Sequence, residues 1–148
     1  QRFKEIEMSS IQIFLRRQLV RETGGFDETL AVWNWFGAGE DNDLVMRLVA
    51  HGEKVLYSPQ ICVHHWWGDQ SQGSISDRWR RARARGRGTG ALCAKHKVPS
   101  SVTFRGVVVP LLKCFLPPYR TTNIAANLAT SLGRWEGFTR WRFNERDR

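Results

Sequence analysis

The apolar positions of this chain change period several times. In residues 8–16, Ile11, Ile13 and Leu15 alternate with other residues, the period of a strand with one buried face. Residues 17–22 then read as a short helix stopped at Thr23, Gly24 and Gly25, with a turn at Gly24. Further on, Leu44, Val45, Leu48 and Val49 recur at helical spacing, with Glu40, Asp41 and Asp43 at the start and Gly52 past the end. This is the best-marked helix of the chain. After residues 54–57 and a turn at Ser58 and Pro59, residues 60–65 read as a strand carrying Ile61, Val63 and His65 on one face and Cys62 and His64 on the other.

Beyond Trp67 the pattern changes. Residues 68–76 are polar and glycine-bearing, which places a domain edge near residue 70. Arg78, Arg80, Arg81, Arg83, Arg85 and Arg87 follow within ten residues, interleaved at their end with Gly86, Gly88 and Gly90. The glycines follow no strand and lack dinucleotide-fingerprint spacing, so a flexible basic loop is expected there. An apolar piece over 107–116 is interrupted by Pro110 and bounded by Pro117 and Pro118; a helix over 123–132 and a tail rich in Trp and Arg complete the chain.

The 148 residues, 41% hydrophobic and 25% charged, suit a folded globular chain. Twenty-three Lys and Arg against 14 Asp and Glu give a formal charge of +9 and a pI near 10.3, so anionic partners are expected. Cys62, Cys93 and Cys114 are odd in number and lie far apart, which fits a reducing compartment better than a disulfide framework. No apolar run reaches the roughly 20 residues that a transmembrane helix needs. Gln1 is followed by charged residues, with neither a start Met nor a signal core, so a fragment of a longer protein is expected.

Taken in order, Gly24-Gly25-Phe26-Asp27-Glu28, Gly39-Glu40-Asp41-Asn42-Asp43-Leu44, Arg47-Leu48, Gly52, Tyr57, Pro59 and His65 form a spaced pattern. It resembles the second half of a family 2 glycosyltransferase over about residues 9–71, and is similar to the C-terminal region of galactosyltransferase-like enzymes. The resemblance implies an α/β fold: residues 1–70 as the C-terminal part of a GT-A mixed sheet, and residues 71–148 as a basic, partly helical extension. It implies an inverting transferase moving a sugar from a nucleotide-sugar donor to a saccharide or lipid-linked acceptor, in polysaccharide or glycolipid synthesis. The nucleotide-binding half and its metal-binding aspartates would precede residue 1, so this chain alone would be incomplete.

Residue roles follow from the same resemblance. Asp41 is the expected catalytic base: inverting transfer needs a carboxylate to take the acceptor hydroxyl's proton, and the unpaired N–H groups at a helix start favour an ionised carboxylate there. Glu40 would orient the acceptor. His65 matches a position that completes Mg or Mn coordination, whereas His64 leaves the opposite face. Trp33 and Trp35 are the expected sugar platforms, with Trp66 and Trp67 beyond the histidine. Each assignment has a plainer counterpart: Asp41 and Asp43 also read as helix caps, the histidines as strand-end polar residues, and the tryptophans as core.

Arg78, Arg80 and Arg81 fit contact with phosphate or membrane, although a solvated basic helix explains them as well. Arg78-Trp79 is similar to the end of the Q-x-x-R-W motif of processive members, but Ile75 stands in place of Gln. The charge and apolar pieces together point to peripheral attachment at the inner face of the plasma membrane. The rival reading is a basic nucleic-acid-binding module or a non-catalytic membrane-surface module. No nucleic-acid-binding signature accompanies the charge, so no nucleic-acid partner is expected.

Overall fold

The computed structural model describes residues 13–58, 60, 74–117 and 121–146. Among them, every regular element is helical: α1 (Arg17–Glu22), a short 3-10 helix (Glu28–Leu30), α2 (Glu40–Ala50), α3 (Ile75–Lys95), α4 (Ser100–Lys113) and α5 (Thr121–Arg146). The expected α/β mixed sheet is therefore corrected to a helical architecture. A strand satisfies its backbone groups only against another strand, and alternation has meaning only where something buries one face. Ile13, Phe14, Leu15 and Arg16 are irregular, with Phe14 and Leu15 exposed, and residues 54–57 carry Leu56 and Tyr57 into solvent. The strand expected over 60–65 lies outside the described residues, apart from Gln60.

The two helices marked in the N-terminal part form where their signals stand. α1 ends at Thr23, whose hydroxyl donates to Leu19 O at 2.8 Å, and Gly24 and Gly25 then turn the chain at positive φ. α2 starts at Gly39 with a φ of +120°, reachable by glycine, and buries Leu44, Val45 and Leu48.

The rest is built on α3 and α5, which lie against each other along much of their length. Gly86 and Gly90 on α3 face Gly133 and Gly137 on α5, so each helix presents a small-residue pair at i, i+4. A Cβ at Gly137 would stand 1.9 Å from Arg87 O, and one at Gly90 2.1 Å from Arg134 O. The backbones approach too closely for any side chain there. Gly88, between the two contact glycines, faces elsewhere: a Cβ on it would meet Ala38 O at 1.9 Å, which seats the chain just ahead of α2 on α3. The segment expected as a flexible basic loop is thus the most tightly packed stretch of a 21-residue helix. Glycine lowers helix propensity, and the close packing it permits outweighs that here.

The alternate arginines of α3 divide accordingly. Arg83 and Arg87 point to α5, where both bind Glu136, Arg87 Nε at 2.8 Å and Arg83 in a bidentate pair. Those two guanidinium groups hold the Glu136 carboxyl below its ordinary range. Arg80, Arg81 and Arg85 face solvent. The core beside this helix pair comprises Leu30, Phe36, Ala91 and Leu92, with Trp35 and Trp141 against it, so residues 30–36 pack on α3 and α5.

α4 runs straight through Pro110, which the sequence reading took as a break. Proline has no N–H for the carbonyl four residues back, here that of Gly106, and its ring disturbs the neighbouring turn. α5 supplies replacements. Arg134 donates to Gly106 O and Ser131 Oγ donates to Val107 O at 2.8 Å, so helix continuity at Pro110 depends on α5. α5 itself starts close to the expected 123 but runs well past the expected end at 132, to Arg146.

Candidate functional site

The acidic helix and the Gly24–Glu28 turn are locked together from inside. Asp43, in the first turn of α2, is fully buried and receives three cationic or imidazole groups: Arg47 Nε, Lys95 Nζ and His96 Nε2, each at 2.8 Å. Arg47 lies one helical turn after Asp43, and its guanidinium also donates to Thr23 O and, at 2.5 Å, to Gly25 O. One side chain thereby pins α2 to the glycine turn. Lys95 reaches in the other direction, donating to Asp27 Oδ2 at 2.6 Å. Asp27 also caps the 3-10 helix by accepting from Thr29 N at 3.0 Å.

Burial works to raise the Asp43 carboxyl, but hydrogen bonds from His96 and Lys95, with the charges of Lys95 and Arg47, more than offset it and hold the group at about 2. Asp27 is lowered as well: burial opposes, while Lys95 and Thr29 stabilise its ionised form. A buried carboxylate paired this fully is a structural ion. An open cleft of about 370 Å³ lies over the clamp, lined by Gly24, Gly25, Phe26, Asp27, Glu28, Arg47 and Lys95.

The expected site residues are distributed around this clamp. Glu40 and Asp41 sit side by side in the first turn of α2, both partly buried, ahead of Asp43 and outside the cleft lining. Trp33 is 80% exposed in the preceding loop. Trp35 is partly buried: the guanidinium carbons of Arg87 and Arg140 each lie 4.2 Å from its ring, and Phe36 meets it edge-on at 5.2 Å. Its surroundings are those of a packed ring against cations. Arg80 and Arg81 are exposed near the start of α3, Arg80 paired with Asp77 at 2.9 Å, and Arg78 is partly buried.

His64, His65, Trp66 and Trp67 lie outside the described residues. Among those described, no group of three or more His, Cys, Asp or Glu side chains comes together in a way that could hold a metal ion. Asp43 is itself engaged by three cationic or imidazole partners.

Lys95 and His96 complete the clamp from the far end of α3, more than fifty residues after Asp43. No local motif marks them. The readable signal was Asp43 and Arg47 at i, i+4 on a face otherwise apolar, since a buried carboxylate must find cations. No family model matches the chain, and neither a curated protein nor a solved structure matches it.

Proposed function

We propose that this chain supplies the acceptor side and the general base of an inverting glycosyltransferase. In this reading an acceptor hydroxyl oxygen attacks the anomeric carbon of a nucleotide sugar, the Asp41 carboxylate takes its proton, and the nucleoside diphosphate leaves with the electron pair of the broken C–O bond. Glu40 orients the acceptor and the exposed Trp33 ring offers a face to a sugar.

The observation that carries the reading is the division of labour within the acidic motif. Asp43 and Arg47 are consumed in a buried clamp that joins α2 to the Gly24–Glu28 turn, while Glu40 and Asp41, partly buried, stand on the first turn that this clamp holds in place. The test uses the gene product containing this chain, incubated with UDP-, GDP- and dTDP-sugars and with oligosaccharide and polyprenyl-phosphate acceptors, in Mg and in Mn. Acceptor-dependent release of a nucleoside diphosphate is expected. Absence of such release across all combinations contradicts the proposal.

A further inference from the structure

α4 has two unlike faces. Gly106, Val107, Pro110 and Cys114 lie toward α5, tied to it by Ser131, Arg134 and the Cys114 thiol's approach to Ile124 O at 3.9 Å. The outward side carries the exposed Phe104, Leu111 and Leu112, with Val108 partly buried between them, and is continued past the helix end by Phe115 and Leu116. Phe104, Val108 and Leu111 repeat at i, i+4 and i+7, so they form one stripe rather than a scatter of apolar residues. Phe104 is 69% exposed, Leu112 58% and Phe115 75%. Monomeric proteins rarely expose such a row without an occupant for it.

Charge identifies that occupant. From Arg78 to Trp135 the chain contains twelve Lys and Arg residues and neither Asp nor Glu. Two of them, Arg105 and Lys113, lie on α4 itself and are exposed, and Lys97 is exposed just ahead of it. A second copy of this chain would bring the same positive charge to the contact and be repelled. An anionic bilayer surface accepts both features at once, apolar side chains below the headgroups and basic ones among them. At 14 residues α4 is about 21 Å long, short of the roughly 30 Å hydrocarbon core, and no described helix is long and apolar enough to cross a membrane.

We propose that α4 docks in the plane of an anionic lipid surface, with Phe104, Leu111, Leu112 and Leu116 inserted at the interface and Arg105 and Lys113 at the headgroups. This inference is independent of the glycosyl-transfer reading. It is tested by cosedimentation of the full chain with vesicles of phosphatidylglycerol and phosphatidylcholine, and with phosphatidylcholine alone. Binding to the anionic vesicles is expected at low salt, with weakening at high salt as the charges are screened. The double substitution Phe104→Glu with Leu112→Glu, on exposed positions, should reduce binding about tenfold or more while far-UV circular dichroism stays unchanged. Arg105→Gln with Lys113→Gln should weaken binding to anionic vesicles alone. Absence of binding at low salt, equal binding to both vesicle types, or full binding by the Phe104→Glu, Leu112→Glu protein overturns the proposal. So does a dimer in sedimentation that the same pair of substitutions dissolves, or RNA binding that outcompetes the vesicles and survives those substitutions.

Discussion

Substituting Gly137 by alanine puts the α3–α5 packing to a quantitative test. The new methyl carbon would stand 1.9 Å from Arg87 O and 2.7 Å from Arg87 Cα and carbonyl carbon. Ordinary contact begins near 3.4 Å, so the helices must part locally by about 1.5 Å, and the obstacle is backbone rather than a side chain that can rotate away. Such overpacking costs about 1–3 kcal/mol or more, and loss of register at the Arg83, Arg87 and Glu136 pairs adds to it. Better helix propensity returns about 1 kcal/mol. The net expectation is a destabilisation of roughly 2 kcal/mol. Gly106→Ala is the control: it gains the same propensity, and its methyl meets only the Arg134 side chain at 3.6 Å, an ordinary contact. It should stabilise by about 0.5–1 kcal/mol. Urea unfolding followed by circular dichroism reads both as shifts in midpoint at constant slope. If Gly137→Ala proves as stable as Gly106→Ala, the close approach of α3 and α5 is wrong.

Two further expectations concern the polar interior. The Asp43 carboxyl, ordinarily titrating at 3.8, is held at about 2 in the folded chain, so it contributes about 2 kcal/mol that is fully present above pH 4 and is lost as pH falls toward 2. Asp43→Asn should cost about 3 kcal/mol at neutral pH, by leaving Arg47 and Lys95 under-compensated, and should flatten the acid limb of a stability-against-pH curve; an unchanged limb would contradict the clamp. Ser131→Ala removes the hydroxyl that serves Val107 O beside Pro110 and should cost about 1 kcal/mol, with faster amide exchange in α4 than in α3 as its signature.

How much of this was legible in the sequence follows from where each signal resides. α1 and α2 were readable because their starts, stops and apolar faces are local: two glycines after residues 17–22, and three carboxylates before Leu44. The sheet was misread because alternation at Ile11, Ile13 and Leu15 states a period and says nothing of a partner strand. Gly86, Gly88 and Gly90 read as a loop because propensity is local, whereas Gly86 and Gly90 are needed for close packing on α5 around Gly133 and Gly137, more than forty residues away, and Gly88 for the approach of Ala38. The matching i, i+4 glycine pairs were visible in both segments, and their pairing was not. Pro110 misled for the same reason, since the donors that rescue its helix, Ser131 and Arg134, belong to another element. In the site, Glu40, Asp41, Asp43 and Arg47 were singled out by spacing, but only the fold separates the inward Asp43 from its neighbours and brings Lys95 and His96 to it.

The central claim is that Asp41 takes a proton during sugar transfer while Asp43 holds the helix that carries it. Its most direct test is the turnover of Asp41→Asn in the gene product containing this chain, measured with whichever donor and acceptor pair supports transfer, beside melting temperature and donor affinity. The account predicts a fall of about 10²-fold or more in kcat, with melting temperature and donor binding close to those of the unsubstituted protein. Transfer by Asp41→Asn at the unsubstituted rate would contradict it and leave the acidic turn of α2 as a helix cap.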